Sequence, residues 1–216
     1  LQDKTGIIRG KVWSYVNEYK SISEKDVVAI KGAIIEYNKT NEINISYINI
    51  ANEKLYKKYG LNYENLIIKV DENIDSLEKY LINTISSISV KGALNLKKLV
   101  KDNILKIKKI PSLNKKYNLY GGYLLEIIDL LKLNKKLSKI FEDKDENIII
   151  ITIIIKNIGL IHYYNDDLQF SVSELGEEND IKLLSIKLID QYFAKNEVLK
   201  NKLQNFILND NLNKDA

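Results

Sequence analysis

Arg9, Lys11, Trp13 and Tyr15 recur at every second position, the spacing that puts side chains on one face of a β-strand. Their types suit single-stranded nucleic acid, because cations track phosphates and an aromatic ring stacks on a base whatever its identity. Ile8, Gly10, Val12 and Val16 fall on the opposite face. Lys31, Tyr37, Lys39 and Tyr47 add cations and rings further along. A second reading stays open: Trp13 and Tyr15 as barrel packing, Arg9 and Lys11 as an ordinary solvated edge. Half-exposed antiparallel strands alternate in the same way.

Other chemistry-bearing residues are few. His162 is the one histidine and there is no cysteine. That excludes multi-imidazole sites, thiol catalysis, disulfides and cysteine-ligated zinc or iron–sulfur clusters. Ser-His-Asp catalysis would have to recruit His162, and no Gly-x-Ser-x-Gly elbow is present. Gly121-Gly122 lacks the spacing of either nucleotide-binding glycine fingerprint. Asp166 and Asp167 carry oxygens suited to a hard cation; with Asn165 they also read as a turn. His162, beside Tyr163-Tyr164, reads as a packed or surface imidazole rather than a base.

These residues need elements to hold them. Leu1-Gln2-Asp3 reads as a strand end, Asp3-Lys4-Thr5-Gly6 as a tight turn and 7–16 as the next strand. A short helix or loop over 17–25 leads to a strand over 27–37, the turn Asn38-Lys39-Thr40-Asn41 and a strand over 43–51. Hairpin-linked strands predict a small Greek-key barrel such as the OB-fold over 1–52, its first strand incomplete and its edge in need of cover. From Asn52 the apolar spacing turns helical. Ile74, Leu77, Leu81, Ile85 and Ile88 mark one helix, and Leu94, Leu99 and Ile104 a second. Pro111 breaks the chain before a third helix over 119–140, where Gly121-Gly122 predicts close backbone packing. The segment 146–161 is apolar nearly all round and predicts a central buried helix, with a buried strand as the alternative that its β-branched content allows. Two amphipathic helices follow over 181–193 and 198–208. The expected class is α+β, with a β-domain over 1–52 and an all-α domain over 53–216.

Across 216 residues, 33 Lys and Arg oppose 29 Asp and Glu, a net charge of +4, so any basic footprint must be local. Lys97, Lys98, Lys101, Lys106, Lys108, Lys109, Lys115 and Lys116 share a stretch whose one acid is Asp102. It reads as a phosphate-contacting wall or as a solvated helix face. The longest apolar run, 148–155, falls far short of the ~20 residues that span a bilayer. A cytoplasmic protein with no membrane partner is expected.

Taken in order, these motifs resemble the YhaM-type 3′→5′ exoribonucleases, a family that joins an N-terminal OB-fold to a helical HD phosphohydrolase domain. Leu1-Gln2-Asp3-Lys4-Thr5-Gly6 followed by Lys11-Val12-Trp13 is similar to the family's OB strand pair, and 27–32 with 34–37 to its next strand. Pro111 and Gly121-Gly122-Tyr123-Leu124-Leu125 look like the Pro-containing loop and Gly-Gly-Leu-Leu helix start of the HD half. Ile154-Ile155-Lys156-Asn157-Ile158-Gly159-Leu160-Ile161 is similar to its Leu-His-Asp-Ile-Gly-Lys helix end. The resemblance covers nearly the whole chain. It implies single-stranded RNA or DNA as partner, in a homo-oligomer or in a mixed oligomer with a catalytic paralogue.

In that family, histidines and the His-Asp pair bind divalent metal, which activates the water that attacks phosphate. Here the pair falls on Lys156-Asn157, and the histidine after the Gly-Gly motif on Glu126 or Ile127. The preceding histidines fall near Tyr117-Asn118, the later ones on 205–211, and the family's lysine on Leu160. An ammonium at Lys156 repels the cation it replaces. The resemblance with these departures implies a pseudoenzyme with no catalytic residue, metal or cofactor. Its β-domain binds nucleic acid, and its helical half is a scaffold, an oligomer interface or a phosphate groove lined by Lys156. Two rival expectations stand beside it. One is an active exoribonuclease with a non-standard metal site, built from carboxylates such as Asp166 and Asp167. The other is a structural or protein-interaction module without nucleic-acid affinity.

Overall fold

Asp3 closes the N-terminal hairpin, its carboxylate accepting from Thr5 N at 2.7 Å, Thr5 Oγ1 at 2.5 Å and Gly6 N at 3.2 Å. These bonds hold its pKa below the usual carboxylate value. The hairpin joins β1 (Gln2–Asp3) to β2 (Gly6–Ile7) in the expected antiparallel pairing. The computed structural model describes all residues except 15–16, 24–25, 91, 141–144, 168–169 and 210–216. It divides into two compact units, Leu1–Ile68 and Lys69–Ala216. The segment after Asn52, which includes α1 (Glu53–Tyr56), stays with the first unit. Asn65 receives Lys4 N at 3.4 Å and Lys4 Nζ at 2.6 Å, tying that segment to the hairpin.

The first unit holds a three-stranded sheet in the order β3 (Arg9–Val12), β5 (Thr40–Ile50), β4 (Val28–Tyr37). β4 and β5 are antiparallel, while β3 runs parallel to β5. Asn38 and Lys39 form the β4–β5 turn with φ of 49° and 62°, the left-handed pair that a two-residue hairpin with the sheet's twist requires. The strand expected over 7–16 is shorter and broken. β3 pairs Arg9 through Val12 with Glu42 through Ile45, and the β4–β5 register then shifts between Lys31 and Gly32, leaving Ser46 extra. A bulge disrupts the ladder locally, and Trp13 lies in a bend beyond it.

Register assigns the two faces. Gly10, Val12, Val28, Ile30, Gly32, Ile34, Ile43, Ile45, Ile48 and Ile50 share the apolar one. A Cβ on Gly10 would stand 2.7 Å from Ile45 Cδ1, the end of a side chain that would have to shift to admit it. Among the described residues, Ile45 and Ala51 are the buried apolar side chains of this unit.

The second unit is built from helices: α2 (Ile74–Ser86), α3 (Ala93–Ile107), α4 (Gly122–Leu137), α5 (Glu146–Ile155), α6 (Leu160–Tyr163), α7 (Glu174–Glu178), α8 (Ile181–Phe193) and α9 (Glu197–Asn209). Asn73, Asp145, Ser173 and Asp180 cap α2, α5, α7 and α8 through side-chain oxygens, each satisfying a helix-start N–H. One apolar core runs through the bundle, with Leu81, Leu96, Leu99, Leu124, Ile128, Ile154 and Phe193 fully enclosed. Leu94, expected on the packed face of α3, is 81% exposed. It sits in the first turn, off the stripe that Leu96, Leu99, Val100 and Ile107 draw.

α4 starts at Gly122 rather than at Leu119 because Gly121 takes a left-handed φ of 79° and turns the chain. The predicted close packing is there: a Cβ on Gly122 would meet Tyr117 O at 1.8 Å. The segment 146–161 is helical rather than extended, divided into α5 and α6 by the turn at 156–159. By length and composition, Glu146–Tyr163 is apolar enough to cross a membrane, which the shorter run counted from the sequence did not show, and 44% of it is buried inside the unit. The short helix α7 carries too few residues for a periodic signal and is not among the helices the sequence predicts, whereas α6 begins inside the helix expected over 146–161.

Candidate nucleic-acid interface

The other face of the sheet gathers residues that lie far apart in the chain. Arg9 and Lys11 on β3 pair with Glu42 and Asn44 on β5. Across β5, Ile35 faces Glu42 and Lys31 faces Tyr47, and Tyr37 ends the same row on β4. Facing side chains in such pairs lie about 4.5–5.5 Å apart at Cβ. The sheet thus brings Arg9, Lys11, Lys31, Tyr37 and Tyr47 to one surface. Tyr37 and Tyr47 are 53% and 51% exposed there. Trp13, next along the chain from β3, is 73% exposed. Lys39 stands at the tip of the β4–β5 turn. Tyr15 lies outside the described residues.

At the centre of this face is a carboxylate that the sequence did not single out. Glu42 has a side chain only 4% exposed, with Lys11 Nζ 2.7 Å from Oε2 and Arg9 3.8 Å from Oε1. The Lys11 contact is close but too poorly aligned to be a hydrogen bond. Lys11 also stands over the Tyr37 ring at 4.6 Å, a cation–π arrangement. Lys11 is 29% exposed and Arg9 73%. The two cations therefore differ: Lys11 is engaged on two sides, and Arg9 faces solvent. Glu42 falls between the expected turn over 38–41 and the expected strand over 43–51; only the register of β5 against β3 puts it beside the cations.

The positions that the family resemblance links to metal carry other chemistry. Glu126, on α4, accepts a hydrogen bond from the buried Ser112 hydroxyl. One turn earlier on the same helix, Tyr123 donates to Ile154 O at 3.2 Å. Its phenol pKa is pushed far up by burial and by the nearby Glu126 charge. Lys156 continues α5 through its N–H to Thr152 O at 2.9 Å, and Asn157 O receives Leu160 N at 3.0 Å. A carboxylate already bonded to a serine, an ammonium and an amide do not make a divalent-metal donor set. Among the described residues no group of three or more His, Cys, Asp or Glu side chains is placed so that it could hold a metal ion.

Asp166 serves an ion pair and Asp167 a turn. Asp166 meets Lys109 at 3.0 Å, and Asp167 accepts from Ser171 N at 3.0 Å. The lysine stretch is also largely engaged. Lys108 bonds Asp75 at 2.8 Å and Glu78 at 2.6 Å, which raises its pKa. Lys106 donates to Ile161 O at 3.0 Å, and Lys116 to the Tyr117 hydroxyl at 2.9 Å. Lys97, Lys98, Lys101 and Lys115 are exposed. His162 is half-buried, and burial with the nearby Lys106 charge lowers its pKa. No family model matches this chain, and no curated protein and no solved structure matches it.

Proposed function

We propose that the N-terminal unit binds single-stranded RNA or DNA on the open face of its sheet. In this reading Arg9, Lys31 and Lys39 contact phosphates, while Trp13, Tyr37 and Tyr47 stack on bases. The observation that carries it is the register: three strands bring exposed cations and rings to one face, beside Ala33 and Ile35, and gather most of the sheet's apolar side chains on the other. Alternating rings and cations on an open surface are the physical requirement of a sequence-tolerant single-strand platform. The parallel β3–β5 pair inside an antiparallel sheet supports reading the unit as part of a Greek-key barrel of the OB type. In the same reading, the helical unit is a degenerate HD-like domain. Glu126, Lys156 and Asn157 stand where metal ligands would be needed, so it supports rather than hydrolyses.

Trp13 is the chain's one tryptophan, so its fluorescence reports directly on the proposed surface. Titration with a single-stranded oligonucleotide of about twelve nucleotides, inside the usual site size, is expected to quench it. Tyr47→Ala is expected to weaken binding by about 1–3 kcal/mol, the worth of one stacked base. Arg9→Ala is expected to flatten the salt dependence by about 0.7 in log–log slope. Absence of binding to both RNA and DNA at low salt overturns the reading.

A further inference from the structure

We propose that Glu42 sets the balance between phosphate and base recognition on this face, by holding Lys11 away from the backbone of a bound strand. The inference rests on the platform reading above and deepens it. Glu42 sits mid-sheet, opposite Arg9 on one neighbour and Ile35 on the other. Its carboxylate is almost fully enclosed and in contact with the Lys11 ammonium, while Arg9 stands 3.8 Å away and open to solvent. A phosphate arriving at Lys11 meets a cation already neutralised, and beside it a buried negative charge that repels it. At Arg9 it meets a cation with only a loose partner. The close Lys11 pair lacks hydrogen-bond alignment, so charge rather than directional bonding holds it.

The consequence concerns which ligand the face selects. With Lys11 withheld, backbone contacts are few and the exposed rings carry the larger share of the interaction. Rings need bases that are already unstacked, so the favoured ligand is a flexible single strand rather than a duplex. Each phosphate contact on a single strand contributes about −0.7 to the slope of log affinity against log salt. Arg9, Lys31 and Lys39 together predict a slope of about −2.1 on that basis, shallower than four contacts with Lys11 included would give.

Trp13 fluorescence, titrated with oligouridylate and with a duplex of equal length at several salt concentrations, tests this. The wild-type protein is expected to bind the single strand with the shallow slope and the duplex more weakly. Glu42→Gln frees Lys11, steepens the slope by about 0.7 and tightens low-salt binding several-fold. Glu36→Gln makes the same charge change on the opposite face and is expected to leave the slope as it was. Replacing both partners, Glu42→Met with Lys11→Met, avoids stranding a buried charge and is expected to keep the wild-type slope. The inference is overturned if Glu42→Gln keeps the wild-type slope, if Glu36→Gln shifts it equally, or if the double replacement loses a contact. Failure of the wild-type protein to bind any single strand sinks the platform reading itself, before any variant is compared.

Discussion

Burial and the neighbouring Lys106 charge hold the His162 imidazole below its ordinary pKa, so the folded protein favours the neutral ring. The unfolded chain protonates that ring near pH 6.5 and binds more protons than the folded state just below it. Stability contributed by the neutral ring is therefore complete above about pH 6.5 and declines as pH falls through the window beneath. Thermal melts between about pH 7 and 5.5 are expected to show Tm dropping, and His162→Gln is expected to remove that dependence. Since His162 is the one histidine, no second imidazole complicates the result; an unchanged pH profile in the variant would contradict the assignment. Residue types were readable at this scale, and Arg9, Lys11, Trp13 and Tyr15 stand out by spacing alone. Glu42 did not, because its significance is a relation to two cations thirty-odd positions away that only strand pairing creates.

Helices announced themselves more clearly than strands. The α8 boundaries, Ile181–Phe193, coincide with the apolar period, and Asp180 supplies the cap. The joint between α5 and α6 was less legible, since a run of isoleucines carries no period to mark where it bends. Gly159 explains the bend's packing. A Cβ there would lie 2.3 Å from Ile181 O and 2.7 Å from Ser185 N, and Gly159 N donates to Ser185 Oγ at 2.9 Å. The glycine φ of −57° is ordinary, so close approach alone demands it. Gly159→Ala must push α8 away and is expected to cost about 1–3 kcal/mol, the range for overpacking a core. Chemical denaturation measures it, with the helical circular dichroism retained; a variant as stable as the parent would show that α8 shifts freely. On the β side, alternation in 7–16 exceeded the true strand because periodicity continues past the point where the Ser46 bulge ends the ladder.

The two units differ in how much they bury. The helical unit encloses a continuous apolar core, whereas β4 is exposed from Ile30 to Tyr37 and its unit buries only Ile45 and Ala51 as apolar side chains among the described residues. Amides protected only by a thinly covered sheet open at lower free energy than those in a packed core. Hydrogen exchange read by mass spectrometry is expected to show β4 exchanging well before α3 and α4, and urea unfolding to lose the sheet first. Equal protection in both would mean that the sheet is stabilised by more than its own contacts.

The amino-acid sequence by itself determined the α+β class, the positions of the long helices, the absence of cysteine chemistry and of multi-histidine sites, and which cations and rings exist to meet a ligand. Those follow from composition and from periods of two and 3.6 residues, which are local properties. Tertiary structure alone decided that Lys31, Tyr37 and Tyr47 share a face with Arg9, that Lys11 is bound to a carboxylate there, and that Asp166 and Asp167 serve a turn and an ion pair. Each depends on strand register or on a contact across tens of residues, and a one-residue slip would reverse the faces.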